Sequence, residues 1–209
     1  NKTQLTNFIT KYTLGGEIKS TKWTSNGDSL STRFISGDKS VVGKVVLSKF
    51  SHLSPCELGV YNTGQLSSLL SVLGDDIDIN LSQSGDKFIS MEFQDTKRKT
   101  KSKYMLSDLS VIPTPPALKN LPDSFELGIK VDPYFINTFT SGKSALAEAE
   151  TFTILTENNE TKIVIGYASI ASNRVTIPVE TTKSADIEPI SFNANMFASI
   201  LNANKDCES

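Results

Sequence analysis

The sequence has few of the side chains that bind metals or act as nucleophiles. Its 209 residues include one histidine, His52, and two cysteines, Cys56 and Cys207. Because His52 has no partner at ligand spacing, a zinc motif and a Cys–His nucleophile pair are excluded, and we expect neither a metal site nor catalytic residues. Two cysteines cannot form the framework of a disulfide-stapled protein, so we expect a reduced, cytoplasmic setting.

Long apolar runs are also missing. No segment approaches the ~18–20 consecutive apolar residues that cross a membrane, and the first residues lack the basic and apolar regions of a signal peptide. Hydrophobic residues make up 38% of the chain and charged residues 21%, which is typical of a globular protein in water. A chain of 209 residues is long enough for one large or two small domains.

Negative charge is absent from four regularly placed segments, although the net charge of the chain is −2. The segments are residues 1–16, 62–74, 133–147 and 194–205, which together hold 56 residues. Random placement of the 23 acids in the chain would put about six of them there. A composition rich in Ser, Thr and Asn would also give acid-free segments, yet the stretches between these four carry acids freely. The charged residues inside the four segments are Lys2, Lys11, Lys143 and Lys205.

The same four segments have the sequence pattern of capped amphipathic helices. An Asn or Asp starts each segment or directly precedes it, at intervals of 61, 70 and 61 residues, and such residues are good helix N-caps. Apolar residues then recur at two fixed offsets, which predicts one buried stripe per helix. The chain therefore consists of a duplicated unit that was duplicated again. The caps and their apolar pairs are Asn1 with Leu5 and Phe8, Asn62 with Leu66 and Leu69, Asp132 with Ile136 and Phe139, and Asn193 with Phe197 and Ile200.

The stretches between the helices predict antiparallel strands. Asn26-Gly27 between two alternating segments is a typical hairpin turn, and similar alternation recurs in every stretch. Four prolines between Pro113 and Pro122 predict an extended connector. We therefore expect an α+β fold with helices on one face of antiparallel sheets, in domains 1–112 and 123–209 joined by 113–122. Because the fourth helix is not followed by strands, we expect the second domain to be truncated at its C-terminal end.

The layout of four helix-plus-strands units, and one segment within it, is similar to a known family. The segment Glu57-Leu58-Gly59-Val60-Tyr61-Asn62 leads into the apolar residues of the second helix, Leu66, Leu69, Leu70, Val72 and Leu73, and Asp75-Asp76 follow. Layout and segment together resemble the DNA sliding clamps, the processivity factors of DNA polymerases, and most of all those of tailed bacteriophages.

The resemblance implies a ring around double-stranded DNA. Two-domain chains of this family close as homotrimers, with helices lining the hole and sheets outside. The implied partners are duplex DNA of any sequence, a DNA polymerase and an ATP-driven clamp loader, in the cytoplasm of the host cell if the protein is viral. The resemblance implies no enzymatic activity and no cofactor.

The polar faces opposite the apolar stripes are the surfaces that would face DNA. Clamps of this family usually carry several Lys or Arg there, and this sequence has few, so we expect weak attraction to DNA. Leu118 and Leu121 near the connector are candidates for the rim of a pocket for partner peptides. The predicted DNA-facing residues are Lys2, Thr3, Asn7, Thr10, Lys11, Ser68, Ser71, Asn137, Ser141, Lys143, Asn195, Ser199, Asn202 and Lys205.

Two charged clusters allow more than one interpretation. The basic run from Lys97 to Lys103 has two interpretations. It is a functional segment, either a phosphate-binding ridge or a nuclear localisation signal, or it is a solvated edge strand whose lysines block aggregation. Asp75, Asp76 and Asp78 are either a metal site or, more commonly for such a cluster, a turn into a strand. The aromatic residues Trp23, Phe8, Phe125, Phe135, Phe139 and Phe197 are predicted to lie in the core.

A second function class is compatible with the same pattern. The chain could be a non-catalytic, β-rich structural or interaction protein, for example a virion component, whose duplicated domains assemble without DNA. Acid-free helices favour the clamp, and retention on circular DNA would separate the two hypotheses.

Overall fold

The computed structural model describes residues 1–117, 124–168, 170, 172–183 and 186–206. The chain forms two compact units, Asn1–Leu118 and Lys119–Ser209, and the division falls inside the proline-rich segment predicted as a connector. Among the described residues, no helix combines the length and apolar content needed to cross a membrane.

In its described part, the first unit combines two helices with two antiparallel sheets. One sheet has the strand order β3-β2-β1-β4 and the other β5-β6-β7. Ser107 N donates to the carbonyl oxygen of Gly59 at 2.9 Å and joins the edge of the first sheet to the segment that leaves β7. The elements are α1 (Lys2–Thr13), β1 (Thr21–Ser25), β2 (Ser29–Ile35), β3 (Val42–Ser48), β4 (Cys56–Val60), α2 (Thr63–Ser71), β5 (Ile77–Ser84), β6 (Lys87–Asp95) and β7 (Lys101–Met105).

The core of the first unit includes a buried aromatic group behind α1. The Trp23 indole donates from Nε1 to the Tyr12 hydroxyl at 3.2 Å, and that hydroxyl lies 3.3 Å from Thr63 Oγ1 at the start of α2. Phe8 packs edge-on against both rings. Burial raises the pKa of the Tyr12 hydroxyl above its ordinary range. The network therefore satisfies polar groups that burial would otherwise leave without partners.

The described part of the connector lies along the first sheet. Lys22 Nζ donates to Thr114 Oγ1 at 3.1 Å, and the Arg33 guanidinium donates to the carbonyl oxygens of Pro115, at 3.0 Å, and Pro116. Prolines cannot donate to a sheet, so side-chain donors from β1 and β2 hold this segment.

The described part of the second unit repeats the plan with two helices and an antiparallel sheet of order β11-β10-β9-β13, beside a short pair β12-β8. Its core contains the clustered rings of Phe135, Phe139, Phe152 and Phe197, with centroids of the Phe152 and Phe197 rings 4.8 Å apart. The elements are β8 (Gly128–Ile129), α3 (Pro133–Ala145), β9 (Thr151–Glu157), β10 (Glu160–Ile165), β11 (Val175–Pro178), β12 (Thr181–Lys183), β13 (Ile190–Asn193) and α4 (Ala194–Ala203).

All four predicted helix caps are confirmed. Each Asx side chain accepts a hydrogen bond from a backbone N–H in the first turn of its helix, which satisfies one of the donors that a helix start leaves free. The cap–donor pairs are Asn1 with Thr3 N at 2.8 Å, Asn62 with Gln65 N at 3.0 Å, Asp132 with Phe135 N at 2.8 Å, and Asn193 with Met196 N at 2.9 Å.

The predicted core is wrong at one aromatic residue and incomplete on two helices. Phe125 is 54% exposed, because the predicted strand from Phe125 onward is reduced to Gly128–Ile129. Phe197, Ile200 and Leu69 are half-buried rather than buried. The fold class is nevertheless as predicted, with helices packed on antiparallel sheets in both units.

Candidate nucleic-acid interface

The two helices of the first unit lie side by side and antiparallel. Lys2 N at the start of α1 donates to the carbonyl oxygen of Asp75 beyond the end of α2, at 2.8 Å. Tyr12 at the end of α1 contacts Thr63 at the start of α2. Both stripes are directed inward, where Leu5, Leu66 and other apolar residues are buried. The polar sides of α1 and α2 therefore form one solvent-facing surface.

The two helices of the second unit also pack against each other. Phe197 of α4 contacts Phe135 and Phe139 of α3, with ring centroids 6.4 and 5.0 Å apart. Asn137 and Ser141 of α3 and Asn195 of α4 remain exposed. Each unit thus presents a pair of helices with polar, acid-free outer sides.

Most of the residues predicted to face DNA lie on these outer sides. Half-buried positions are Lys2, Lys11 and Ser199, and one residue, Lys143, is buried. Ten of the fourteen are exposed: Thr3, Asn7, Thr10, Ser68, Ser71, Asn137, Ser141, Asn195, Asn202 and Lys205.

The placement of Lys143 on the exposed face of α3 is wrong. Its side chain is buried, and Nζ donates to the carbonyl oxygens of Ala147 at 2.8 Å and Leu146 at 3.5 Å. These carbonyls follow the end of α3, where backbone acceptors lack helical partners and the helix dipole favours positive charge. Lys143 is therefore a helix C-terminal ligand and not a surface charge.

Lys2, like Lys143, donates to a backbone carbonyl oxygen near the C-terminal end of a helix. Its Nζ donates to the carbonyl oxygen of Leu73 at 2.5 Å, just beyond the end of α2. Thr3 Oγ1 in the same turn is 3.4 Å from the carboxylate of Asp75. The start of α1 is therefore tied to the end of α2, and part of the positive charge of Lys2 is offset there.

Several hydroxyl groups on the outer sides already donate their proton within their own helix. Thr10 Oγ1 donates to the carbonyl oxygen of Thr6 at 3.0 Å, and Ser68 Oγ to that of Gly64 at 3.0 Å. Ser71 Oγ donates to the carbonyl oxygen of Ser68 at 2.7 Å. A hydroxyl has one proton, so these three side chains offer lone pairs to the solvent.

Three exposed residues on the same sides were missed by the sequence prediction. Gln4 and Gln65 are exposed on α1 and α2, and Tyr134 near the start of α3 is 76% exposed. Each lies three residues before a predicted residue, namely Asn7, Ser68 and Asn137. The helical i, i+3 rule would have found them.

The basic run does not form one continuous ridge. β7 begins at Lys101, and Lys99 lies in the preceding turn with a left-handed backbone conformation, at φ of 60°. Lys97 Nζ binds the Asp76 carboxylate at 2.8 Å, and Lys101 Nζ binds that of Glu92 at 3.2 Å. The Lys97 ammonium holds the pKa of Asp76 below its usual range. The solvated edge strand is thus the better description of this run, because β7 is the outer strand of its sheet.

The Asp75–Asp78 cluster is a turn into β5. Asp76 is paired with Lys97, and the Asp75 carbonyl accepts from Lys2 N. Among the described residues, no group of three or more His, Cys, Asp and Glu side chains is placed to hold a metal ion. Leu118 and Leu121, the predicted rim of a peptide pocket, lie outside the described residues.

The fold can be compared with known proteins at this point. Neither a comparison with protein families nor a search of curated proteins finds a match. Among solved structures, a crystal structure of PCNA from Thermococcus kodakaraensis is similar, with a TM-score of 0.67 and 12% sequence identity. The similarity covers 97% of this chain and 82% of that one.

This similarity shows the fold. The chain has the two-domain sliding-clamp fold of PCNA, which confirms the resemblance inferred from the repeats at the level of architecture. The similarity to tailed-bacteriophage clamps in particular stays a prediction.

Proposed function

We propose that this chain is a sliding clamp, which encircles duplex DNA and tethers the replicative polymerase to it. The observation that supports this most is the combination of a PCNA-like fold with helices that hold no Asp or Glu. Duplex DNA carries one negative charge per about 1.7 Å of its axis, so acids facing it would be repelled. The outer sides of the helices are polar and mostly uncharged, which suits contact with DNA of any sequence.

The proposal includes the partners that the resemblance implies. A homotrimer would place its helices around the DNA, an ATP-driven loader would open the ring, and a DNA polymerase would bind it. The segment from Glu57 to Asp76 supports a clamp of the tailed-bacteriophage type, which would act in the cytoplasm of the host cell. The clamp holds its partners together and performs no reaction of its own.

Two sheet edges beside the helices are suited to join subunits. β7 and β11 are outer strands of their sheets, and they lie against α2 and α3 respectively. Pairing of these edges between copies would bring the helices of neighbouring subunits together. Val72 at the end of α2 and Met105 on β7 are 64% and 61% exposed. On β11, Val175 is half-buried at the outer edge of its sheet.

Topological retention on DNA tests the proposed function. The protein is incubated at high concentration with a nicked circular plasmid, so that rings assemble around the DNA by mass action. After gel filtration, the plasmid is cut once with a restriction enzyme. A clamp stays with the circle and leaves the linear form. Equal retention on both forms would contradict the clamp, and retention on neither form would favour a structural protein without a DNA role.

The subunit junction has a separate test. The native mass is expected to be about three times the 22.8 kDa of the chain. Met105→Glu and Val175→Glu place a charge in the proposed junction and should lower the native mass toward that of a monomer. Val111→Glu is the control, because Val111 is also exposed, at 57%, and lies outside the junction. A native mass unchanged in all three variants would contradict these edges.

A further inference from the structure

The outer sides of the helices carry unused side-chain amides. Six Asn and Gln residues on these sides are exposed, and none of their side chains makes a hydrogen bond within the described part of the chain. Each amide offers two N–H donors and one acceptor without a net charge. They are Gln4 and Asn7 on α1, Gln65 on α2, Asn137 on α3, and Asn195 and Asn202 on α4.

Several of the other polar groups on these sides are less available to a phosphate. The hydroxyls of Thr10, Ser68 and Ser71 donate inside their own helices and present lone pairs, which repel phosphate oxygens. The ammonium groups of Lys2 and Lys143 donate to carbonyl oxygens at helix C-terminal ends. These ends are negative, so they offset part of the charge that DNA would feel.

We propose that the Asn and Gln side-chain amides on the four helices make the contacts of this chain with DNA phosphates. Its affinity for DNA should therefore depend little on salt concentration. The inference rests on the proposed function and specifies the contacts of that same surface. The match is one of charge: the helices hold no acid, and the neutral amide N–H groups donate to phosphate oxygens without a net charge of their own. A contact made by lysine releases condensed counterions from DNA, whereas a contact made by a neutral amide releases none.

Such contacts also suit movement along the duplex. Phosphates recur along both strands, so an amide that leaves one phosphate oxygen finds an equivalent one nearby. A hydrogen bond between an exposed amide and a phosphate replaces hydrogen bonds that both groups make with water, so its net contribution is modest and it exchanges readily with water. A helix surface lined with amides would therefore hold the duplex in place laterally and offer little resistance along its axis.

The test measures how fast the protein leaves DNA after the circle is cut. Protein retained on the nicked plasmid is followed by fluorescence after linearisation, at 50 and 200 mM salt. Each lysine–phosphate contact would change the binding constant about 3.5-fold over this range. The wild-type escape time is expected to change less than twofold. A change of threefold or more that Lys205→Gln abolishes would overturn the inference.

Three variants separate the helix amides from other amides and from charge. Asn7→Ala should shorten the escape time by the same factor at both salt concentrations. Asn7→Lys should lengthen it, and more at 50 than at 200 mM salt. Gln83→Ala is the matched control, because Gln83 is an exposed amide on β5, outside the helices, and its loss should change nothing. An unchanged escape time for Asn7→Ala, or an effect of Gln83→Ala as large as that of Asn7→Ala, would overturn the inference.

The two proposals fail in different ways. If the protein does not remain on the uncut circle, the clamp function fails before any escape time is measured. If it remains on the circle and leaves the linear form with a steep salt dependence, the clamp function holds and the amide contacts are wrong.

Discussion

The ammonium group of Lys143 donates a hydrogen bond to the carbonyl oxygen of Ala147, at 2.8 Å, beyond the last turn of α3. Lys143 is only 8% exposed, whereas Ala147 is exposed, so the ammonium reaches from the interior of the second unit to a carbonyl oxygen near its surface. A basic residue in the last turn of a helix thus serves the stability of the fold and not the binding surface. The first prediction concerns the cost of removing it.

Lys143→Met should lower the free energy of unfolding by about 1–3 kcal/mol, because it removes a buried ammonium that donates to the Ala147 carbonyl oxygen, whereas the Leu146 carbonyl oxygen keeps its hydrogen bond from Ala149 N. Urea denaturation followed by circular dichroism measures the change. Lys205→Met is the control, because Lys205 is exposed near the end of α4 and should change stability by less than about 0.5 kcal/mol. Equal stability of the two variants would show that the Lys143 contacts contribute nothing.

Gly59→Ala should destabilise the first unit. A Cβ atom at Gly59 would lie 2.2 Å from the carbonyl oxygen of Ser107, where the edge of β4 meets the segment after β7. Backbone must shift to relieve this overlap, and overpacking of this kind costs about 1–3 kcal/mol or more. Gly37→Ala has no atom within 4 Å of its new Cβ and serves as the control in thermal unfolding. A melting temperature of Gly59→Ala equal to that of wild type would contradict the close approach.

Tyr12→Phe should cost about 1–3 kcal/mol, because it removes the acceptor of the buried Trp23 Nε1 and one of the two partners of Thr63 Oγ1. Urea denaturation followed by Trp23 fluorescence reports both the stability and the surroundings of the indole. Tyr134→Phe is the matched control, since Tyr134 is 76% exposed and should tolerate the loss of its hydroxyl. If both variants are as stable as wild type, the buried network has no energetic role.

The stability of the first unit should fall as the pH is lowered. The carboxylate of Asp95 accepts backbone hydrogen bonds from Arg98 N, Gly74 N and Lys97 N, which lower its pKa below the ordinary value of 3.8. Because the folded-state pKa is depressed, the stabilisation is present above pH 3.8 and is lost as the pH falls through the folded-state value. The urea midpoint should therefore decrease from about pH 5 downward.

Asp95→Asn tests the origin of this pH dependence. The variant should be less stable at pH 7 and should lose part of the decline below pH 5, measured by urea midpoints across that range. Asp86→Asn is the control, because the Asp86 carboxylate in the β5–β6 turn accepts no hydrogen bond in the described part of the chain. A decline as steep in Asp95→Asn as in wild type would assign the acid sensitivity to other carboxylates.

The helices were predictable from local sequence signals. A cap at Asn62 and an apolar residue at Leu66 act within one helical turn, so their spacing along the chain is also their spacing in the structure. The fold class followed from the repetition of this pattern. Phe125 was misassigned because its burial required a longer strand, and only Gly128–Ile129 pairs there.

It was harder to infer which polar side chains on the predicted surface are already hydrogen-bonded within the protein. The sequence places Ser68 and Asn7 on outer sides, but it does not say that the Ser68 hydroxyl donates to Gly64 and that the Asn7 amide has no partner. Lys143 carried a usable signal, since a basic residue in the last turn of a helix commonly binds the final carbonyls. It was assigned to the DNA-facing surface as one of the positive charges within the acid-free segments.

The amino-acid sequence is sufficient for the caps, the apolar stripes and the absence of acids, because each depends on residues within a turn or two of one another. Folding was needed to show which donors stay free and where sheets meet, as at Gly59 and Ser107. Those contacts join residues far apart in the chain, and their formation depends on packing that no local pattern encodes. The surface proposed to hold DNA depends on both: its helices follow from local sequence patterns, and its free amides are known only because the structure shows which of the neighbouring donors are already paired.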